Sequence, residues 1–165
     1  MMKKRFFAVL LLFCCLASYA QEKKGWEKST DIKNPLAAGL GLEWNMDSRS
    51  YFAGGAAFSF DFKLPCFFAV GFTATGSTNF SDFKSLELTG LLRNYVQWNA
   101  YSGLFLQIDV GSFIIFENGD VSPMVEIGAR AGFRIPLGSV FYVEPYGRIG
   151  VPFAFGLGVM AGINF

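Results

Sequence analysis

FAFGLGVMAGINF, residues 153–165, is apolar at every odd position, Phe153, Phe155, Leu157, Val159, Ala161, Ile163 and Phe165. The even positions, Ala154, Gly156, Gly158, Met160, Gly162 and Asn164, are mostly bare. Successive side chains of a β-strand point to opposite faces, so this stretch is a ribbon with one greasy face and one nearly empty face. Such a strand at a sheet edge would invite aggregation. Laid against lipid and paired with the first strand of a closed barrel, it has no free edge.

The same alternation runs upstream to Pro35. It predicts strands over about 36–46, 50–63, 66–77, 83–96, 101–115, 122–135 and 140–150, with residues 153–165 as the eighth. Turns are expected at Asp47-Ser48-Arg49, Leu64-Pro65, Thr78 to Asp82, Gln97-Trp98-Asn99, Glu117-Asn118-Gly119-Asp120, Pro136 to Ser139 and Pro152. Pro cannot donate to a ladder, and Asn-Gly favours a hairpin. Lengths of about ten to fourteen residues match the roughly 9–11 that a tilted membrane strand needs. The fold class is therefore all-β, an eight-stranded antiparallel up-and-down transmembrane β-barrel. An even strand number puts both termini at one end, the periplasmic one in a bacterial outer membrane.

Alternation alone would also suit a soluble barrel with its apolar face inward. The large apolar side chains are too many for that, since eight strands enclose room for side chains or one small ligand only. The opposite face is mostly Gly, Ala, Ser and Thr, whereas a soluble exterior is about 25–35% charged. On the greasy face the one charge read is Lys84, at the rim of a strand. Trp44, Tyr95, Trp98 and Tyr101 fall near strand ends, where interfacial aromatics belong.

Residues 1–20 read as a signal peptide: basic Lys3-Lys4-Arg5, an apolar run from Phe6 to Leu16, and Ser18-Tyr19-Ala20 with small residues at −3 and −1. The mature chain is then expected to start at Gln21. Residues 21–35 read as a polar periplasmic segment carrying Trp26, and residues 36–165 as the barrel. Past the cleavage site only Cys66 remains, so no intramolecular disulfide can form. The net charge of +1 gives no case for nucleic acid.

Alternation points Glu43, Asp61, Glu87, Asp109, Glu126 and Glu144 inward, together with Lys63, Arg93, Arg130, Arg134 and Arg148. Charges so confined are normally paired, and the expected lumen is an ion-paired plug. The Pro136–Ser139 turn predicts a register that sets Arg130 opposite Glu144 and Glu126 opposite Arg148. Phe67, Leu91, Phe105 and Phe113 also read as inward. The chain has no His, which removes Ser-His chemistry and His-containing metal sites. Gly39-Leu40-Gly41 and Gly156-Leu157-Gly158 are bare-face glycines at strand period rather than a phosphate loop. No enzyme activity and no cofactor are expected.

The terminal stretch resembles the C-terminal assembly signal of bacterial outer-membrane barrels, with Phe165 in the place of its final aromatic. Signal peptide, strand count, alternation and Phe165 together resemble the small eight-stranded outer-membrane proteins, the group containing OmpX, OmpW, OprG and the membrane domain of OmpA. The resemblance implies a monomer in outer-membrane lipid, handled by the barrel assembly machinery. It implies either a structural or surface-interaction role or, as in OmpW- and OprG-like proteins, passage of a small hydrophobic solute. The barrel enzymes of this kind are similar to one another in relying on His, which this chain lacks.

Overall fold

The computed structural model describes residues 34–165 apart from 48–51, 65–66, 82, 97–100 and 118–119. The signal peptide, its cleavage site, Trp26, Cys66 and Trp98 lie outside the described residues. Eight strands form: β1 (Leu36–Asp47), β2 (Phe52–Lys63), β3 (Phe68–Thr78), β4 (Phe83–Tyr95), β5 (Gly103–Glu117), β6 (Asp120–Leu137), β7 (Phe141–Val151) and β8 (Phe153–Asn164). Each pairs antiparallel with its sequence neighbours, and β8 returns to β1, so the sheet closes into a barrel. Leu36 and Phe165 exchange both backbone hydrogen bonds at 2.9 Å and complete the seam. Both described chain ends therefore lie at one end of the barrel. That terminal end also carries the β2–β3, β4–β5 and β6–β7 turns; the distal end carries the other four.

Side-chain alternation sorts the residues as the period of two requires. Leu40, Leu88 and Ile149 are more than half exposed on the outer face, while Ala37, Thr75 and Asp61 on the inner face have no exposure. The interior is lopsided. Strands β1, β2, β3 and β8 present mostly Gly, Ala, Ser and Thr inward, whereas β4 to β7 send in long Arg, Glu, Gln, Tyr and Phe side chains. The glycines of β8 serve this packing. A Cβ on Gly158 would meet the Tyr146 ring at 2.4 Å, and one on Gly162 would meet the Tyr142 ring at 2.3 Å. The bare face of the terminal strand is thus the floor on which two β7 tyrosines lie.

Three expectations are corrected. The β6–β7 register is displaced by four residues: Arg130 pairs with Arg148, Gly132 with Tyr146 and Leu137 with Phe141. β6 continues through Pro136 to Leu137, so the turn is only Gly138 to Val140, with Gly138 in the left-handed region at φ 82°. An even displacement keeps every residue on its expected face, which is why Glu126, Arg130, Glu144 and Arg148 remain inside. Secondly, Phe153 points into the lumen. Met46 pairs with Phe155 but Asp47 with Phe153, and this one-residue bulge turns the start of β8 over. Thirdly, Tyr95 and Tyr101 are buried in the terminal end of the lumen rather than set at a lipid interface; Trp44 stays outside, 57% exposed.

Candidate functional site: an ion-paired lumen

Every charged residue expected inside is there. Glu43, Asp61, Glu87, Arg93, Asp109, Glu126, Arg130, Arg134, Glu144 and Arg148 are all buried. They form two groups along the barrel axis. Near the terminal end, Glu144 of β7 accepts from Arg93 at 2.9 Å and from Arg134 beside it, and Arg134 also reaches Asp61 at 3.3 Å. Toward the distal end, Arg148 holds Glu43 at 2.6 Å, Glu87 at 2.7 Å and Glu126 at 2.6 Å. Arg130 holds Asp109 at 2.8 Å and Glu43 at 3.2 Å.

Gln107 joins the two groups. Its side-chain oxygen accepts from Arg93 Nε at 2.8 Å, and its amide donates to Asp109 at 2.6 Å. Glu43 is the most heavily used carboxylate: besides both arginines it accepts from the Tyr146 hydroxyl at 2.7 Å and the Asn45 amide at 2.8 Å. Glu43 stands between Arg130 and Arg148, which face each other across β6 and β7. Without a carboxylate there, two cations would meet in a low-dielectric interior. Of the expected strand-opposite pairs, Glu126 does bond Arg148, but diagonally; Glu144 goes to Arg93 and Arg134 instead of Arg130.

Aromatic rings take the flat faces that the carboxylates leave. Arg134 lies 4.0 Å above the Tyr142 ring, Arg93 4.2 Å above Phe105 and Arg130 5.3 Å above Tyr146. A guanidinium hydrogen-bonds at its edge and stacks on its face, so this combination uses both. The lumen is also closed apolarly. At the terminal end Tyr95 packs edge-on to Tyr101 at 5.4 Å, and the Tyr101 hydroxyl donates to the Leu64 carbonyl. Lys63 there donates to the Asn34 carbonyl at 3.0 Å and Asn164 Oδ1 at 2.8 Å. At the distal end Phe113 and Phe153 meet edge-on at 5.3 Å, with Phe83 and Ile115 against them. Leu91, Phe105 and Phe113 are inside as expected; Phe67 precedes β3 in a left-handed turn conformation, φ 61°.

Asn45, Gln107 and Tyr146 were legible as inward positions, but carrying no charge they gave no signal of membership in the network. Among the described residues no three His, Cys, Asp or Glu side chains converge as a metal-binding group.

No protein-family model matches the sequence, and no curated protein matches it. Solved structures do. The crystal structure of Neisserial surface protein A (NspA) aligns over 79% of this chain and 96% of its own, with a TM-score of 0.60 at 10% identity. The crystal structure of the N-terminal β-barrel domain of Pseudomonas aeruginosa OprF aligns over 78% of this chain and 97% of its own, with a TM-score of 0.51 at 11% identity. At such identities the likeness is one of fold: this chain has a closed eight-stranded antiparallel barrel that superposes on these two bacterial structures.

Proposed function

We propose that this chain is a monomeric integral outer-membrane β-barrel protein with a structural or surface-interaction role, its lumen filled rather than conducting. The observation that carries this reading is the unbroken hydrogen-bonded chain from Glu144 through Arg93, Gln107, Asp109 and Arg130 to Glu43 and Arg148, closed by aromatics at both ends. Moving a solute through would break several buried ion pairs at once, each costing about 3–5 kcal/mol when one partner is left alone. The lipid-facing surface supports the membrane: a Lys or Arg at the bilayer midplane costs roughly 2–4 kcal/mol, and the exposed outer face is Leu, Val, Ile and Phe on every strand. In this reading the terminal end faces the periplasm and Phe165 serves as the assembly signal read by the barrel assembly machinery. The absence of His fits a protein without enzyme activity.

The apolar distal mouth of Phe83, Phe113, Ile115 and Phe153 favours a second reading, a channel for small hydrophobic solutes. Purified barrel in planar bilayers and in solute-loaded vesicles separates the two. No resolved conductance and no uptake above protein-free vesicles are expected; steady conductance or saturable uptake of a hydrophobic solute would overturn the filled-lumen reading.

A further inference from the structure

The outer face of β1 to β4 is not evenly covered. Toward the distal end Gly54 and Ala56 of β2 adjoin Ala74 and Gly76 of β3, and larger side chains stand on both sides of them. On β1, Trp44 is the cross-strand neighbour of Gly54 and Leu42 that of Ala56. On β4, Leu88 and Leu86 are the neighbours of Ala74 and Gly76. Phe58 and Phe72, ring centroids 5.8 Å apart, close the terminal end. The groove between these walls is about 13 Å long, four residues of strand at ~3.3 Å each.

Its floor is open. A Cβ on Gly76 would meet nothing within 4 Å, and one on Gly54 would meet only the Phe80 ring, at 3.5 Å. That ring is 87% exposed, yet the turn that carries it is tied down. The Phe80 N–H donates to Thr78 Oγ1 at 3.0 Å, and the N–H groups of Ser81 and Phe83 donate to Asn79 Oδ1 at 2.9 and 3.1 Å. Phe80 is thus a lip held over the distal mouth of the groove.

Charge decides what fits there. Lys84 lies at the same mouth, directly across from Thr78. It is the only charged residue at an outward position of the described strands, and it is exposed and without a hydrogen bond or ion pair among the described residues. Glu117, paired with Phe83, has the parity of inward Phe113 and so stands on the other face. A Lys at the rim of an apolar surface lays its stem along that surface and offers its ammonium to anionic headgroups. A greasy groove that ends at a lone cation matches an amphiphile with a hydrocarbon tail and a phosphate. In the orientation proposed above, the distal rim lies in the outer leaflet of the outer membrane, where that amphiphile is lipid A. We propose that the groove holds one acyl chain of lipid A, with a phosphate of the same molecule on Lys84. The site rests on the membrane reading and its orientation, and stands whether or not the lumen conducts.

The test titrates the folded barrel in neutral detergent with lipid A and counts retained lipid by native mass spectrometry, while the heat-induced mobility shift reports the fold separately. One lipid A should be retained per barrel, saturably. Gly76→Leu fills the floor and should lose the retained lipid while keeping the heat shift. Lys84→Gln should raise the half-saturating concentration several-fold, which covers a Gly76→Leu protein that fails to fold. Retention unchanged in either folded variant would overturn the proposal. So would equal retention of phosphatidylglycerol, because the groove would then select any anionic lipid. A wild-type protein with no heat shift would overturn the membrane barrel itself, and the site with it.

Discussion

Replacing Glu43 by Gln tests whether the lumen is held by particular bridges or by charge in general. The side chain accepts from Arg130, Arg148, Tyr146 and Asn45 at distances from 2.6 to 3.2 Å. Gln keeps the shape but removes the charge, and its amide hydrogens would face a guanidinium. Breaking a buried pair costs about 3–5 kcal/mol. Here Arg130 retains Asp109, and Arg148 retains Glu87 and Glu126. The loss should therefore sit near the low end, about 3 kcal/mol, or roughly a hundredfold in the folding equilibrium at about 1.4 kcal/mol per decade. Glu87→Gln is the matched control. It also removes one carboxylate from Arg148, but Glu43 and Glu126 remain on that guanidinium. Its cost should stay within about 1 kcal/mol, because two of three charged partners survive. Reversible urea unfolding in lipid vesicles, followed by the fluorescence of outward-facing Trp44 and by gel mobility, measures both. A Glu43→Gln protein as stable as wild type, or a Glu87→Gln protein equally damaged, would refute the bridging role.

Deleting Phe165 removes both backbone hydrogen bonds to Leu36 and the ring that lies 6.5 Å from Phe60. Insertion into the outer membrane, scored by the heat-shifted folded fraction of the membrane pellet, should fall while secretion continues; unchanged insertion would show that the seam forms without it. Strand β3 offers a contrast within one element. A Cβ on Gly71 would come 1.9 Å from the Phe60 carbonyl oxygen, whereas one on Gly76 meets nothing within 4 Å. Gly71→Ala should destabilise by about 1–3 kcal/mol as the backbone is forced apart, while Gly76→Leu should leave the urea midpoint within error of wild type.

Strand number, order and facing were legible because each rests on a period of two, which survives small errors in a boundary. Shifting β6 against β7 by four residues altered every neighbour but turned no side chain over. Phe153 shows where this protection ends. One extra residue against Asp47 reverses parity, and nothing in Phe153-Ala154-Phe155 marks the bulge, since both phenylalanines suit lipid and lumen alike. Tyr95 and Tyr101 differ for another reason: closeness to a strand end points to the interface, yet Tyr95 has the same parity as inward Leu91 and Arg93.

The charged residues of the lumen were legible as a set, but their partners were not, and the cause is geometric. Cross-strand pairing rules describe side chains standing side by side on a flat face. In a narrow closed barrel those side chains converge on the axis, so a guanidinium reaches whatever carboxylate stands at its height on any wall. Arg93 of β4 bonds Glu144 of β7, and Arg148 of β7 bonds Glu43 of β1 and Glu87 of β4; none of these pairs joins adjacent strands. Height along the axis is thus the quantity that selects partners, and it depends on the register of all eight ladders together. The small inward residues of β1, β2, β3 and β8 make this possible, because they leave the space that arms from β4 to β7 must cross. The FAFGLGVMAGINF ribbon therefore gives the barrel both part of its apolar outer surface and a floor for its packed lumen, and the glycines that look empty in sequence are where Tyr142 and Tyr146 are held.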